Sequence, residues 1–188
     1  MIGVMGIRVS ASVAWAFALV SAVGCTSMDA DPRILTGTLV LDQDFEPEQR
    51  EAIQAAIDRW SEATAGRFAP TLAFGEVACG EPFAIEAVHD VGCHVGQWYD
   101  EEETARVLGA ADRGSHWVSV VTWLDGNYFG DNVAHELGHY MLLGHGDGIM
   151  AQAREGQGTQ ITESSIQEFC SIWGCEPDSP PRGRYRRH

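Results

Sequence analysis

Residues 135–150 read HELGHYMLLGHGDGIM, and this stretch decides how the rest of the chain is understood. His135 and His139 are four residues apart, so on a helix both imidazoles leave the same face about one turn apart. That spacing suits two imidazoles clamping one zinc ion. Glu136, one residue further on, falls beside the metal without ligating it, where a carboxylate can orient a water and take its proton. His145 lies six residues past His139, so the helix must break before this third imidazole can reach the same ion. Gly144 is the residue expected to reverse the chain. Asp147 is the rival third ligand. With 7 His in 188 residues, an HExxH string arises by accident in roughly 2% of chains of this composition. Adding His145 makes chance a poor explanation.

Working upstream, a helix begins near Val133, with Asp131 or Asn132 as its N-cap, after the turn-rich stretch Asp125-Gly126-Asn127-Tyr128-Phe129-Gly130. Residues 117–124 (WVSVVTWL) are rich in β-branched and aromatic side chains and read as a strand, as do 34–41, 70–74, 83–88 and 105–111. Between the first two of these, residues 46–65 place Ile53, Ala56, Ile57, Trp60 and Ala63 at helical spacing, with Pro47 in the first turn. A last helix is expected over 163–172, capped by Thr162. No internal repeat or low-complexity linker interrupts residues 34–176, so one α/β unit is expected.

Taken together, the residues at 135–150 resemble the metzincin clan of zinc endopeptidases, whose pattern is HExxHxxGxxH followed by a methionine-containing turn. His135, Glu136, His139 and His145 match at the family spacing, and Met150 stands where the methionine turn falls. The resemblance implies an α/β (α+β) fold with a mostly parallel, twisted sheet. It further implies an antiparallel edge strand at 105–111, a backing helix, a zinc helix and a small C-terminal subdomain with one helix. On that edge strand an extended substrate would lie by strand addition. It also implies one catalytic Zn²⁺ held by His135, His139 and His145, Glu136 as general base, and Met150 as an apolar base beneath the metal. Three departures are visible. Leu142 occupies the family glycine position, which predicts a longer helix reversing at Gly144, because a Leu with positive φ is costly. Only five residues separate His145 from Met150, and no Tyr follows Met150 closely enough to serve as a ligand or oxyanion donor.

Composition bounds the setting. The chain carries 12 Lys+Arg against 27 Asp+Glu for a net charge of −15, and all its basic residues are Arg. Such a body repels phosphate backbones, which excludes a nucleic-acid binder. Residues 1–24 hold a single charge, Arg8, before the apolar run SASVAWAFALVSAV, and read as a secretory signal. The sequence Ala22-Val23-Gly24-Cys25 resembles a bacterial lipobox, with Cys25 lipidated, although ordinary signal peptidase would also accept it. A lipid would then be the sole membrane contact of an exported envelope protein, with residues 25–33 as a linker, 34–177 as the catalytic domain and 178–188 as a structureless Pro/Arg-rich tail. Lipidation of Cys25 leaves four Cys, and short loops favour Cys79–Cys93 and Cys170–Cys175 among the three connectivities.

His89, Asp90 and His94 read as part of a loop rather than a second cation site, the acidic run 100–103 as a solvated face, and His116 as a structural residue opening a strand. The expected protein is a monomeric zinc endopeptidase acting on peptides or proteins. The alternative is a non-enzymatic envelope lipoprotein that uses zinc for stability or partner binding.

Overall fold

A computed structural model describes residues 28–29, 31–88, 108–112, 114, 116–124, 126–151, 158–175 and 184–185. Cys25, the signal segment, His89, Asp90, Cys93, His94, the acidic run 100–103 and the first part of the expected edge strand lie outside the described residues.

The described chain runs β1 (Met28–Asp29), α1 (Arg33–Thr36), β2 (Thr38–Asp42), α2 (Pro47–Ala63), β3 (Thr71–Gly75), β4 (Ala84–Val88), β5 (Gly109–Asp112), β6 (Trp117–Val121), α3 (Gly126–Tyr140), a 3₁₀ turn (Gly148–Met150), α4 (Glu163–Trp173) and β7 (Arg184–Tyr185). Five strands form one sheet in the order β3-β2-β4-β6-β5. The pairings β2–β3, β2–β4 and β4–β6 are parallel, and β5 runs antiparallel to β6 at the edge. A mixed α/β fold with a mostly parallel sheet and an antiparallel edge is therefore observed.

Strand alternation places Leu39, Leu41, Ile85, Val118 and Val120 on one face, where they join Ile53, Ile57 and Trp60 of α2 and Val133, Ala134 and Leu137 of α3 in a single buried core. Pro47 opens α2 at its first position, and the Gln49 side chain accepts the Glu46 N–H while donating to the Thr122 carbonyl, which ties the helix start to the end of β6.

Three elements depart from expectation. Residues 33–36 form a helical turn instead of the start of a strand. Asp31 accepts the Arg33 N–H, Pro32 fixes the entry, and the Gly37 N–H closes the turn on the Arg33 carbonyl. The zinc-helix candidate starts at Gly126, seven residues before Val133. Its turn-like letters concealed Phe129, which is buried and packs edge-on against Phe45 at 5.9 Å. Finally, Arg184–Tyr185, within the tail expected to lack structure, pairs antiparallel with Met28–Asp29.

The C-terminal helix matches its expected span closely. Thr162 caps α4 by accepting the Ser165 N–H, and Gly174, at φ +78°, reverses the chain so that Cys170 and Cys175 form a disulfide with Cα atoms 4.8 Å apart. Cys79 is exposed in the β3–β4 connection.

Candidate metal centre

His135, Glu136 and His139 stand on the last turns of α3, all nearly buried. The helix ends where Leu142, not Gly144, takes the left-handed conformation, at φ +73°. The Leu142 N–H bonds the His139 carbonyl and the Leu143 N–H bonds the Gly138 carbonyl, the paired 5→2 and 6→1 bonds of a Schellman cap. The expected reversal at Gly144 is thus corrected. The turn is left-handed at Leu142 itself, and burial of its side chain offsets the backbone strain. The next orphan carbonyl, that of Met141, accepts the indole N–H of Trp173 from α4 at 2.9 Å.

After this cap the chain turns back and brings His145 to the other two imidazoles. His139 Nε2 lies 3.1 Å from His135 Nε2 and 3.1 Å from His145 Nε2. The three ligand nitrogens all fall within 4.8 Å of one another. Nitrogens bound to one zinc at ~2.1 Å in tetrahedral array would stand roughly 3.4 Å apart.

The opposite ring nitrogens fix the tautomers. His135 Nδ1 meets the Ile149 carbonyl at 2.7 Å, and His139 Nδ1 meets the Leu143 carbonyl at 2.8 Å. A carbonyl can only accept, so each Nδ1 carries the proton and each Nε2 presents a lone pair to the shared point. Burial lowers the His135 pKa, which keeps the ring neutral as a ligand must be. This donor set fits a zinc ion.

Met150 packs beneath the helix. A Cβ at Gly138 would collide with its Sδ and would come within 3.2 Å of the Trp60 ring, so glycine lets the methionine approach the backbone between His135 and His139. Trp60 holds the same helix by donating to the Ala134 carbonyl at 2.7 Å. Glu136 points the other way, towards β5. Burial alone pushes its carboxyl up to about 8.

Asp147 does not join the cluster. It accepts hydrogen bonds from Thr162 and Ser164 at the start of α4, which lower its pKa. The loop bearing His145 is held from the same helix a second time, where Glu168 accepts the Gly144 N–H at 3.0 Å. His116 stays apart from the centre, at φ +59° in the turn before β6, with its ring against Phe83 and Tyr140.

Sequence reasoning missed Gly109, Asn132 and Glu168. Asn132 was expected to cap the helix and is instead inside it, where its carboxamide donates to the Leu108 carbonyl at 2.8 Å. Nothing in the local sequence marks Gly109 or Glu168.

The fold and the imidazole cluster together define a small mixed α/β domain with a histidine triad able to hold a metal ion. Among solved structures it is similar to archaemetzincin from Methanopyrus kandleri, with a TM-score of 0.51 and 12% identity over 70% of this chain and 92% of that one. No protein-family model matches the chain, and the search of curated proteins finds no match. The likeness is one of fold.

Proposed function

We propose that the protein is a zinc-dependent endopeptidase, with His135, His139 and His145 as the metal ligands and Glu136 as the general base. The observation that carries this reading is the convergence of three Nε2 atoms, with the Nδ1 of His135 and of His139 each tied to a backbone carbonyl, next to a buried carboxyl group that no ligand role requires. A purely structural zinc site is normally closed by four protein ligands, whereas three converge among the described residues. The fold likeness to archaemetzincin supports the same class.

Zinc held there would act as a Lewis acid towards the scissile carbonyl. Glu136 lies desolvated on the helix face beside the cluster; in its ionised form, which the charge of a bound zinc would favour against the burial, it would take the proton of the attacking water and deliver it to the leaving amine. The outer edge of β5, paired with no other strand among the described residues, offers backbone groups on which an extended peptide can lie. Met150 shapes the floor and takes no proton. Export through residues 1–24, a lipid on Cys25, a Cys79–Cys93 bridge and a monomeric state belong to the same proposal, and rest on the sequence.

The decisive experiment combines metal analysis with peptide cleavage. Purified protein should contain one zinc, lost in His139→Ala. Glu136→Ala should keep zinc and fold while losing cleavage of a proteome-derived peptide mixture. Zinc-loaded wild type that cleaves nothing in that mixture would favour the non-enzymatic reading, and wild type without zinc would sink both.

A further inference from the structure

The contact between the edge strand and the metal helix is closer than ordinary packing. The Leu108 carbonyl receives two donors, the Val121 N–H of β6 at 3.1 Å and the Asn132 carboxamide of α3 at 2.8 Å. Leu108 and Val121 are therefore a hydrogen-bonded pair of the antiparallel ladder. The next pair, Gly109 opposite Val120, is a non-bonded one. Gly109 consequently turns its own N–H and C=O away from β6, to the side of β5 that pairs with no other strand among the described residues. Its missing side chain faces α3. A Cβ there would stand 2.9 Å from Glu136 Oε1, 2.8 Å from Glu136 Cγ and 2.9 Å from Asn132 Nδ2. Real Cβ atoms do not approach so closely, so either the carboxylate or the strand would have to move.

One residue of β5 thus borders both the outer side of the sheet and the buried Glu136 carboxyl, and the carboxamide one helical turn before Glu136 fixes its position. Asn132 and Glu136 are four residues apart and lie on the same helix face. Asn132 stands six residues inside a helix that begins at Gly126, where the backbone hydrogen bonds of the helix need no carboxamide.

We propose that Asn132 is a positioning residue: its carboxamide locks β5 onto α3, and the bare Cα of Gly109 keeps the gap in which Glu136 sits beside a strand-bound peptide. This rests on the peptidase reading for its catalytic consequence, but not for its structural one.

Asn132→Asp is nearly isosteric and replaces the donor by a second acceptor against the Leu108 carbonyl. In zinc-loaded full-length protein it should lower kcat about tenfold or more on a peptide that wild type cleaves. KM and zinc content should be unchanged, because an interaction that sets base geometry acts in the transition state. Gly109→Ala should do the same by direct displacement. The double variant should be no worse than the poorer single one, because the two changes disturb one gap. A role in stability alone predicts a lowered Tm with kcat per folded, zinc-bound molecule intact, and that result overturns the proposal.

Amide hydrogen exchange over residues 108–112 needs no substrate. It should quicken in Asn132→Asp while β4 and α2 stay protected, and unchanged exchange there also overturns the proposal. Wild type that cleaves no peptide removes the peptidase reading, and the exchange measurement then decides the role of Asn132 alone.

Discussion

His135, Glu136 and His139 stand on consecutive turns of one buried helix, whereas His145 and Met150 hang from a nine-residue segment, 142–150, whose only regular piece is a 3₁₀ turn. The first group is placed by helix periodicity and by Trp60, Leu137 and Met150 around it. The second is placed by bonds from elsewhere: Glu168 to the Gly144 N–H, Thr162 and Ser164 to Asp147, and the Ile149 N–H to the Gln160 carbonyl. Yet the dependence runs both ways. The loop carbonyls of Leu143 and Ile149 orient the two helical imidazoles, so the helix offers its ligands correctly only when the loop is in place.

The sharpest way to break this division is at its boundary, Leu142. Deleting its buried side chain in Leu142→Ala should destabilise the protein by about 3 kcal/mol. Leu142→Gly should be milder by about 1 kcal/mol, since glycine adopts the left-handed conformation without strain, the reverse of the order expected in a helix interior. Denaturant titration of the pair checks this, and equal midpoints would show that the turn relaxes instead of bearing strain.

Next in size is the disulfide. Cys170–Cys175 has a sequence separation of 5, and a loop so short should add about 2 kcal/mol. Reduction should lower the melting temperature and leave zinc stoichiometry at one, because no ligand is a thiol. Loss of zinc on reduction would mean that the end of α4, and not only its first turns, supports the loop.

The smallest effect isolates a single bond. Glu168→Ala should weaken zinc binding about tenfold, as loss of a partner one step removed from a metal often does, while Glu168→Gln keeps an acceptor for the Gly144 N–H and should bind like wild type. Competition with a chromophoric chelator separates the two. If both bind zinc like wild type, His145 is held without help from Glu168.

The same division governs how much could be read from the sequence. The placement of His135 and His139 on one helix face follows from spacing alone, and the strands at 71–75, 84–88 and 117–121 follow from short apolar and β-branched runs, which are local signals. The start of α3 was misplaced because Gly126, Asn127 and Gly130 look like a turn. The helix nevertheless runs through them because Phe129 is buried edge-on against Phe45, a tertiary contact that no local propensity announces. Leu142 misled for a related reason: its letter argues against a left-handed turn, while burial among core residues outweighs that preference. Glu168 and Asn132 act across 24 residues each, through bonds whose partners are backbone atoms with no sequence identity. Asp147 looked like a ligand because its side-chain chemistry suited one; its capture by Thr162 and Ser164 depends on where α4 begins.

The grip of two indoles on α3 has an optical consequence. Trp60 and Trp173 come from different helices, and each donates its N–H to a carbonyl at opposite ends of the ligand-bearing turns, those of Ala134 and Met141. Both rings are fully buried. Their emission should therefore be blue-shifted in the native protein, and each hydrogen bond makes its ring a sensor of a different end of the helix. Replacing either one with Phe assigns its share of the signal, so that a titration with metal would report by colour which end of α3 the ion tightens first.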